Sequence, residues 1–237
     1  MSTGAVKALI LAGGYGKRLR PLTLEKPKPL IEVGPRSILE WQILWLKSYG
    51  IRDIVLAVGY LRSKIFEAIG DGSKLGVRVY YSVEEEPLGT GGAIKHAQMF
   101  LEDCEKFIVV NGDIITNLPV NRLLEELKGD LIGVIALTPM RSPYGIVHVD
   151  SEGYIIEFKE KPSLEYLINA GVYAFTPEIF KHLPDKGDIE TTTFPKLAKE
   201  RKLKAVIMKD VYWRSIDSIK DVEEASREVE YIFQNIQ

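Results

Sequence analysis

Short apolar runs alternate with longer amphipathic segments over roughly the first 140 residues of the chain. Apolar runs bounded by glycine or polar residues predict buried strands, and apolar positions repeated every three or four residues predict helices. This alternation predicts an α/β fold with a Rossmann-like, mostly parallel sheet flanked by helices. The predicted strands are 6–11, 53–58, 77–82, 107–110 and 131–137, and the predicted helices are 38–49, 62–69, 90–100 and 123–127.

The first long helix has clear boundary signals. Ser37 is a good N-cap residue, and Glu40 follows at the spacing of a capping box. Gly50 then predicts the end of the helix. Leu44 and the two tryptophans Trp41 and Trp45 on this helix are expected in the core.

The pattern changes after about residue 140, where strand-like segments dominate. Segments 144–150 and 153–158 predict a hairpin turned at residues 151–153. A strand at 168–175, helices at 177–182, 194–201 and 222–233, and a strand at 204–208 follow. We expect a single domain over 1–237, with one half at about 1–138 and a smaller, β-rich insertion in the other half, about 139–237. No hexapeptide repeat is present, so no C-terminal β-helix is expected.

Composition excludes several classes of protein. The chain has 31 basic and 33 acidic residues and a net charge of −2, which argues against a general nucleic-acid binder. No apolar stretch reaches the ~20 residues of a membrane span, and the first residues lack the apolar core of a signal peptide. Cys104, the single cysteine, excludes an internal disulfide. We therefore expect a cytoplasmic protein that binds neither nucleic acid nor membrane.

A glycine-rich turn and a cluster of cations follow the first predicted strand. Gly13, Gly14 and Gly16 permit tight turns and close approach of a ligand. Backbone N–H groups and fixed positive charge together suit a polyphosphate. The spacing fits neither a Walker loop nor a G-x-G-x-x-G motif. The cations are Lys17, Arg18, Arg20, Lys26 and Lys28, with Glu25 as the single acid among them.

Further candidate residues follow other predicted strands. Their position matters because open parallel sheets bind ligands at the carboxyl ends of their strands. Lys28 lies between two prolines that stiffen its loop. The loop 84–93 contains PLGTGGA, whose glycines would let a flat ring lie against the backbone. Asp113 ends the loop 111–113 and can reach a metal ion, and Mg²⁺ prefers one or two carboxylates plus substrate phosphates.

The segment GGYGKRLRPLT followed by PKPL resembles the signature of the sugar-1-phosphate nucleotidylyltransferases, G-G-x-G-[TS]-R-L-x-P-L-T and then P-K-P. Lys17 departs from that pattern, where Thr or Ser is usual. The resemblance implies transfer of a nucleotidyl group from an NTP to a sugar 1-phosphate, with release of pyrophosphate. It extends over nearly the whole chain, which would form one nucleotidyltransferase domain with a nucleotide half and a sugar-binding half.

Family motifs imply roles for individual residues. Arg18 and Lys28 would be catalytic, and Asp113 and Asp217 would bind Mg²⁺. Ser215 is the alternative to Asp217, because WRSIDSIKD can be matched to the family motifs in two ways. The nucleotide-binding set would be Leu11, Ala12, Gly13, Gly14, Gly16, Lys17, Pro87, Leu88, Gly89, Thr90, Asn111 and Gly112. The sugar-phosphate set would be Tyr144, Gly145, Glu160, Lys161, Asn169 and Gly171.

The substrates are less sharply indicated than the reaction. The motifs look most like short guanylyltransferases that act on mannose or heptose 1-phosphate, so GTP with mannose 1-phosphate is expected. UTP-, dTTP- or CTP-dependent glucose-1-phosphate enzymes stay open, because the Asp217 pattern also occurs in cytidylyltransferases. A non-catalytic nucleotide-sugar-binding regulatory subunit and a metal-dependent glycosyltransferase are alternatives of other kinds. A homo-oligomer is also left open.

Overall fold

A computed structural model describes residues 6–233 of the chain. The strands are β1 Lys7–Leu11, β2 Glu32–Val33, β3 Arg36–Ser37, β4 Asp53–Val58, β5 Arg78–Val83, β6 Phe107–Asn111, β7 Ile114–Thr116, β8 Gly133–Arg141, β9 Ile146–Val149, β10 Ile155–Lys159, β11 Ser163–Phe175, β12 Leu203–Ile207 and β13 Trp213–Ser215. Seven of these strands form the central sheet in the order β12-β8-β11-β6-β1-β4-β5, and three two-stranded ribbons lie outside it.

The sheet is mostly parallel, as the sequence predicts. Strand β1 lies between β4 and β6 and runs parallel to both, and β5 runs parallel to β4. Strand β11 is antiparallel to its neighbours β6 and β8, while β12 returns parallel to β8. The α/β fold with a mixed, mostly parallel sheet is therefore confirmed. The division of the domain near residue 138 stays a prediction, and β8 runs across that point.

Helices cover both faces of the sheet. The helices are α1 Ile38–Ser48, α2 Arg62–Ile69, α3 Gly89–His96, α4 Gln98–Leu101, α5 Val120–Glu126, α6 Ile189–Thr192, α7 Phe194–Lys199 and α8 Ile219–Ile232. One apolar cluster packs α1, α2 and α5 against one face, and a second packs α3, α4, α6 and α7 against the other. A third cluster lies under α8.

Two helix predictions need correction. The single helix predicted over 90–100 is broken at Ala97, where the backbone leaves helical geometry and Phe100 N–H bonds the Ala97 carbonyl three residues back. The predicted helix at 177–182 is a 3₁₀-helix with its proline in the first turn. In both places a tighter turn replaces the regular α-helix.

A capping box is present at the N-terminus of both α1 and α8. Ser37 accepts the backbone N–H of Glu40, whose carboxylate accepts the N–H of Ser37, as the sequence predicts. Ser218 and Asp221 form the same capping box at the start of α8. Trp41, Leu44 and Trp45 are buried as expected. None of the helices between residues 6 and 233 is both long and apolar enough to cross a bilayer.

Candidate active site

The turn after β6 lies directly against the end of β1. Gly112 N–H donates to the Leu11 carbonyl at 3.1 Å, and a Cβ on Gly112 would stand 2.2 Å from that oxygen. Only glycine permits this approach. The contact brings Asp113 to the carboxyl end of β1, where the glycine-rich turn begins.

An open cleft lies at this point, and we call it the cleft throughout. It brings together most of the predicted nucleotide and metal residues that follow β1 and β6. The lining residues are Leu11, Ala12, Gly14, Lys28, Pro29, Thr90, Asn111, Gly112 and Asp113. Loops far apart in sequence therefore meet at one edge of the sheet, as the strand order requires.

Lys28 lies between two carboxylates at the wall of the cleft. Its Nζ donates to Asp113 Oδ2 at 2.8 Å and to Asp217 Oδ1 at 2.9 Å. The Lys28 side chain is only 12% exposed, so its ammonium group is bonded to the two carboxylates rather than surrounded by water. Arg18 reaches the same Asp217 oxygen at 2.8 Å, although its side chain is 73% exposed. The four groups form one network of alternating charge.

Asp217 reaches this network because β13 pairs with β7. Ser215 lies opposite Ile114, and Ile216 N–H donates to the Asp113 carbonyl at 2.9 Å. Ser215 Oγ donates to Asp217 Oδ2 at 2.6 Å. Helix α8 is capped by Ser218, so the Asp217 side chain is free to face Lys28. Burial acts to raise the pKa of Asp217, but the bonds from Ser215 and Lys28 and the Arg18 charge hold it below its usual value.

The glycine-rich turn folds back onto the loop that carries Lys28. Gly16 has φ +59°, and a Cβ there would stand 2.9 Å from Lys28 Cβ and from Thr23 Cγ2. Thr23 Oγ1 donates to the Gly16 carbonyl at 2.9 Å. Lys17 extends outward, with its Nζ 5.6 Å from the centroid of the Tyr15 ring. Lys17 is therefore exposed at the open side of the turn, whereas Lys28 lies in the wall of the cleft.

The four predicted residues of the 87–90 loop face different surroundings. Pro87 lines a second cavity, which Gly13 also lines. Leu88 donates its N–H to Glu84, and its carbonyl accepts the N–H of Gly187 at 2.7 Å. Gly89 has φ +75° and packs against the Gly187 backbone. Of the four, Thr90 alone lines the cleft.

Asn169 and Gly171 adjoin the cleft through Asn111. Gly171 has φ +68°, and a Cβ there would stand 2.9 Å from Asn111 Nδ2. Asn169 Oδ1 accepts the Gly171 N–H at 2.8 Å, and its Nδ2 donates to Tyr173 Oη at 2.8 Å. Asn111 Oδ1 is buried without a hydrogen-bond partner among the described residues. This part of β11 therefore forms one wall beside the nucleotide loops.

The other predicted sugar residues lie outside the cleft, in what we call the hairpin region, residues 141–163. Tyr144 is exposed, and Gly145 packs against the side chains of Phe158 and Glu160. Lys161 Nζ stands 3.9 Å from Glu160 Oε1 and lines a groove that also contains Ser215. The structure therefore does not bring Tyr144, Gly145, Glu160 and Lys161 to Lys28.

Sequence reasoning missed several residues that shape the cleft. Gln42 Nε2 donates to the carbonyls of Asn111 and Ile114, both at 2.8 Å, and so fixes the turn between β6 and β7. Glu190 accepts from Thr90 Oγ1 at 2.6 Å and from Tyr173 Oη at 3.4 Å. Gln42 had a signal, since it is a lone amide on the apolar face of α1. Glu190 had none, because its partner Thr90 lies one hundred residues away.

The site contains one pair of neighbouring carboxylates, Asp113 and Asp217. No group of three or more His, Cys, Asp or Glu side chains suited to a metal ion is found within residues 6–233. Asp113 and Asp217 are nevertheless both bonded to one ammonium, so their oxygens converge on one position for a cation.

The chain is similar to proteins of known family. A family model described as nucleotidyl transferase matches residues 7–231. The mannose-1-phosphate guanylyltransferase catalytic subunit beta of Dictyostelium discoideum is 40% identical over 229 residues, covering 91% of this chain and 62% of the relative. The mannose-1-phosphate guanyltransferase of Saccharomyces cerevisiae is 40% identical over 227 residues, with the same coverage. The chain thus spans 62% of the length of these two curated relatives.

Solved structures share the fold over almost their full length. HddC from Yersinia pseudotuberculosis superposes with a TM-score of 0.74 at 27% identity, covering 94% of this chain and 99% of HddC. A second structure of HddC, complexed with GMP-PN, gives a TM-score of 0.73 at 26% identity.

Proposed function

The chain belongs to the nucleotidyl transferase family, and from that membership we propose that it is a mannose-1-phosphate guanylyltransferase. It would transfer GMP from GTP to mannose 1-phosphate and release pyrophosphate. One observation carries the reaction class: Lys28 and Arg18 meet two carboxylates beside a glycine-rich turn at the end of β1. The choice of GTP and mannose 1-phosphate is supported by the names of the relatives and by the GMP-PN complex of HddC.

The reaction needs charge and position more than acid–base chemistry. A phosphate oxygen of mannose 1-phosphate attacks the α-phosphorus of GTP, and a new O–P bond forms. The bond from the α-phosphorus to the bridging oxygen breaks, and the electron pair leaves with pyrophosphate. The nucleophile is already an anion, so no base has to remove a proton.

Arg18 and Lys28 supply different parts of the positive charge. Arg18 is largely exposed at the open side of the glycine turn, so it can reach the oxygens of the leaving pyrophosphate. Lys28 is buried in the wall and holds Asp113 and Asp217 in register. Ser215 supports Asp217 by its 2.6 Å hydrogen bond and is a positioning residue in this proposal.

The two carboxylates fit a divalent cation. Both bond the Lys28 ammonium, so they lie close enough together to hold one cation beside it, and carboxylate oxygens are the donors that Mg²⁺ prefers. Asp113 and Asp217 would hold Mg²⁺, which when bound draws negative charge from phosphate oxygens. The remaining ligand positions suit substrate phosphates rather than further side chains.

Mannose 1-phosphate would bind between the β11 wall and the groove that contains Lys161. Asn169 and Gly171 adjoin Asn111 in the wall of the cleft. Lys161 and Ser215 line the same groove, and Ser215 is bonded to Asp217. This groove therefore extends from the hairpin region to Ser215, which is bonded to one of the two carboxylates.

A panel of substrates tests the proposal. Pyrophosphate release is measured with Mg²⁺, each of GTP, ATP, UTP, dTTP and CTP, and the 1-phosphates of mannose, glucose and heptose. We expect GTP with mannose 1-phosphate to give the highest kcat/KM. A faster pair would replace these substrates, and no release with any pair would favour a regulatory subunit. The cytoplasmic location, the absence of nucleic-acid and membrane binding, and a homo-oligomer remain predictions.

A further inference from the structure

Gln42 is a polar side chain buried in an otherwise apolar face of α1. The residue is 2% exposed, and Leu39 and Leu46, which share its face of the helix, belong to the largest apolar cluster. Its Oε1 is buried without a hydrogen-bond partner among the described residues. A buried acceptor without a partner costs free energy that an apolar side chain of the same size would not. The two bonds that the amide nitrogen makes must therefore account for the presence of Gln42.

Both of these bonds go to the backbone of one turn. Gln42 Nε2 donates to the carbonyl oxygens of Asn111 and Ile114, each at 2.8 Å. The opposite orientation of the amide would place Oε1 against two carbonyl oxygens, which repel it, so the surroundings fix the orientation. The position thus requires a neutral side chain with two donors on one atom.

The two carbonyls mark the two ends of the turn that carries the predicted metal ligand. Asn111 is the last residue of β6 and Ile114 is the first residue of β7, so only Gly112 and Asp113 lie between them. Gln42 therefore joins the two ends of this turn from the side of α1.

Two further contacts fix the same two residues from other directions. Gly112 donates its N–H to the Leu11 carbonyl at the end of β1, at 3.1 Å. Asp113 accepts the N–H of Ile216, which follows β13, at 2.9 Å. The backbone of this turn is thus bonded to β1, to the segment after β13 and, through Gln42, to α1. Of these three contacts, the one from Gln42 is the one that a side-chain substitution can remove.

We propose that Gln42 is a positioning residue for the metal site. By closing the turn between β6 and β7, it would set the direction of the Asp113 carboxylate and so the affinity of the site for Mg²⁺. The inference rests on the proposed function, in which Asp113 and Asp217 hold Mg²⁺. Groups that orient a metal ligand without touching the metal typically change metal affinity by 10- to 100-fold when they are removed.

The test is the equilibrium affinity for GTP, measured once in Mg²⁺ and once in EDTA, without sugar phosphate and therefore without turnover. The ratio of the two affinities reports the contribution of the metal. Magnesium changes the charge of GTP equally for every variant, so a change in the ratio originates in the protein. Gln42→Leu should lower the ratio by about 10-fold or more and leave the affinity in EDTA nearly unchanged. Asp113→Asn is the reference variant and should remove the advantage of Mg²⁺ altogether.

Trp45→Phe is the matched control. Trp45 lies on the same helix, is buried, and donates from Nε1 to the Leu118 carbonyl at 3.0 Å, outside the turn. The variant keeps an aromatic ring and loses one buried donor, so its thermal midpoint of unfolding should fall, as it should for Gln42→Leu. Its ratio of GTP affinities should stay at the wild-type value. A role of Gln42 in stability alone would make the two variants behave alike, with a lower midpoint and an unchanged ratio.

A second substitution keeps the test valid if leucine is not accepted at this position. Gln42→Met has an unbranched side chain like that of glutamine and no donor, so it should fill the same space and lower the ratio in the same way. Circular dichroism of each variant reports whether the fold is retained.

Failure of the inference and failure of the proposed function give different results. If the wild-type protein binds GTP equally well in Mg²⁺ and in EDTA, the proposed metal site is wrong and the role of Gln42 is overturned with it. If Asp113→Asn removes the advantage of Mg²⁺ but the folded Gln42 variants keep it, the role of Gln42 alone is overturned. The same conclusion follows if these variants weaken GTP binding equally in Mg²⁺ and in EDTA.

Discussion

The cleft and the hairpin region both carry candidate phosphate-binding lysines, but they hold them differently. Lys28 is 12% exposed and bonds two carboxylates at 2.8 and 2.9 Å. Lys161 is 52% exposed, and among the described residues its one salt bridge is to Glu160, at 3.9 Å. The geometry of Lys28 and its two carboxylates is therefore set before any substrate binds. If mannose 1-phosphate binds in the hairpin region as proposed, it would have to order these exposed side chains, and that ordering would reduce its affinity.

The carboxylate pair gives the strongest test of a preformed cleft. Asp113→Asn and Asp217→Asn should each lower kcat by ~10³-fold or more, because several kcal/mol of charge stabilisation depend on a bound divalent ion. Pyrophosphate release is titrated with Mg²⁺ at saturating substrates. Ser215→Ala is the control and should cost about tenfold at most, since it removes one hydrogen bond to Asp217. Full activity in both carboxylate variants would remove the metal site from the proposal.

Substitution of Arg18 tests the role of the exposed cation at the open side of the same cleft. Arg18→Ala should lower kcat by ~10²-fold, the loss typical when one group that stabilises transition-state charge is removed. The fold should survive, because the side chain is largely exposed. Arg20→Ala is the control, a neighbouring cation with no proposed role. Near-normal turnover in folded Arg18→Ala would contradict the assignment.

Alanine substitutions at two glycines, one beside the cleft and one in the hairpin region, compare the rigidity of these regions directly. Gly112→Ala would place a methyl group 2.2 Å from the Leu11 carbonyl oxygen, a backbone atom that cannot move alone. We expect a loss of about 2 kcal/mol in the free energy of unfolding, as for overpacking elsewhere. Gly145→Ala would meet the exposed ring of Phe158, which can rotate away, so its loss should be smaller. Urea denaturation of both variants measures the difference, and equal losses would show that the two regions are equally rigid.

Substitution of Lys161 should have the smallest effect of these variants. It should also separate most clearly the KM for mannose 1-phosphate from the KM for GTP. Lys161→Ala should raise KM for mannose 1-phosphate by about tenfold, as for one charged contact, and leave KM for GTP nearly unchanged. Lys159→Ala is the control, since Lys159 pairs with Glu157 on the outer part of the hairpin. Initial rates over both substrate concentrations separate the constants. An equal rise in the two KM values would remove Lys161 from the sugar-phosphate site.

Local signals in the sequence predict most of the fold. The capping box at Ser37 and the apolar run 53–58 correspond to α1 and β4 as the structure has them. The break at Ala97 had no local signal, because a buried alanine is compatible with a continuous helix. The short strands β7 and β13 were also not predicted, since three residues are too few for a hydrophobic pattern.

The site is harder to predict where it depends on contacts between distant segments. The glycine turn and Asp113 follow strands and can be found by position. Whether Ser215 or Asp217 faces Lys28 depends on the β7–β13 register, which no local pattern contains.

A line of hydrogen bonds joins Thr90 in the cleft to Asn169 of the β11 wall. Thr90 donates to Glu190, which accepts from Tyr173, whose hydroxyl accepts from Asn169 beside the β11 wall. If the proposed sites are correct, a nucleotide that shifts Thr90 would also alter the free energy of the β11 wall. Such linkage is reciprocal at equilibrium, so whatever factor GTP adds to the affinity for mannose 1-phosphate, the sugar phosphate adds to the affinity for GTP. Cooperativity between the two substrates is thus expected within one chain, without a second subunit.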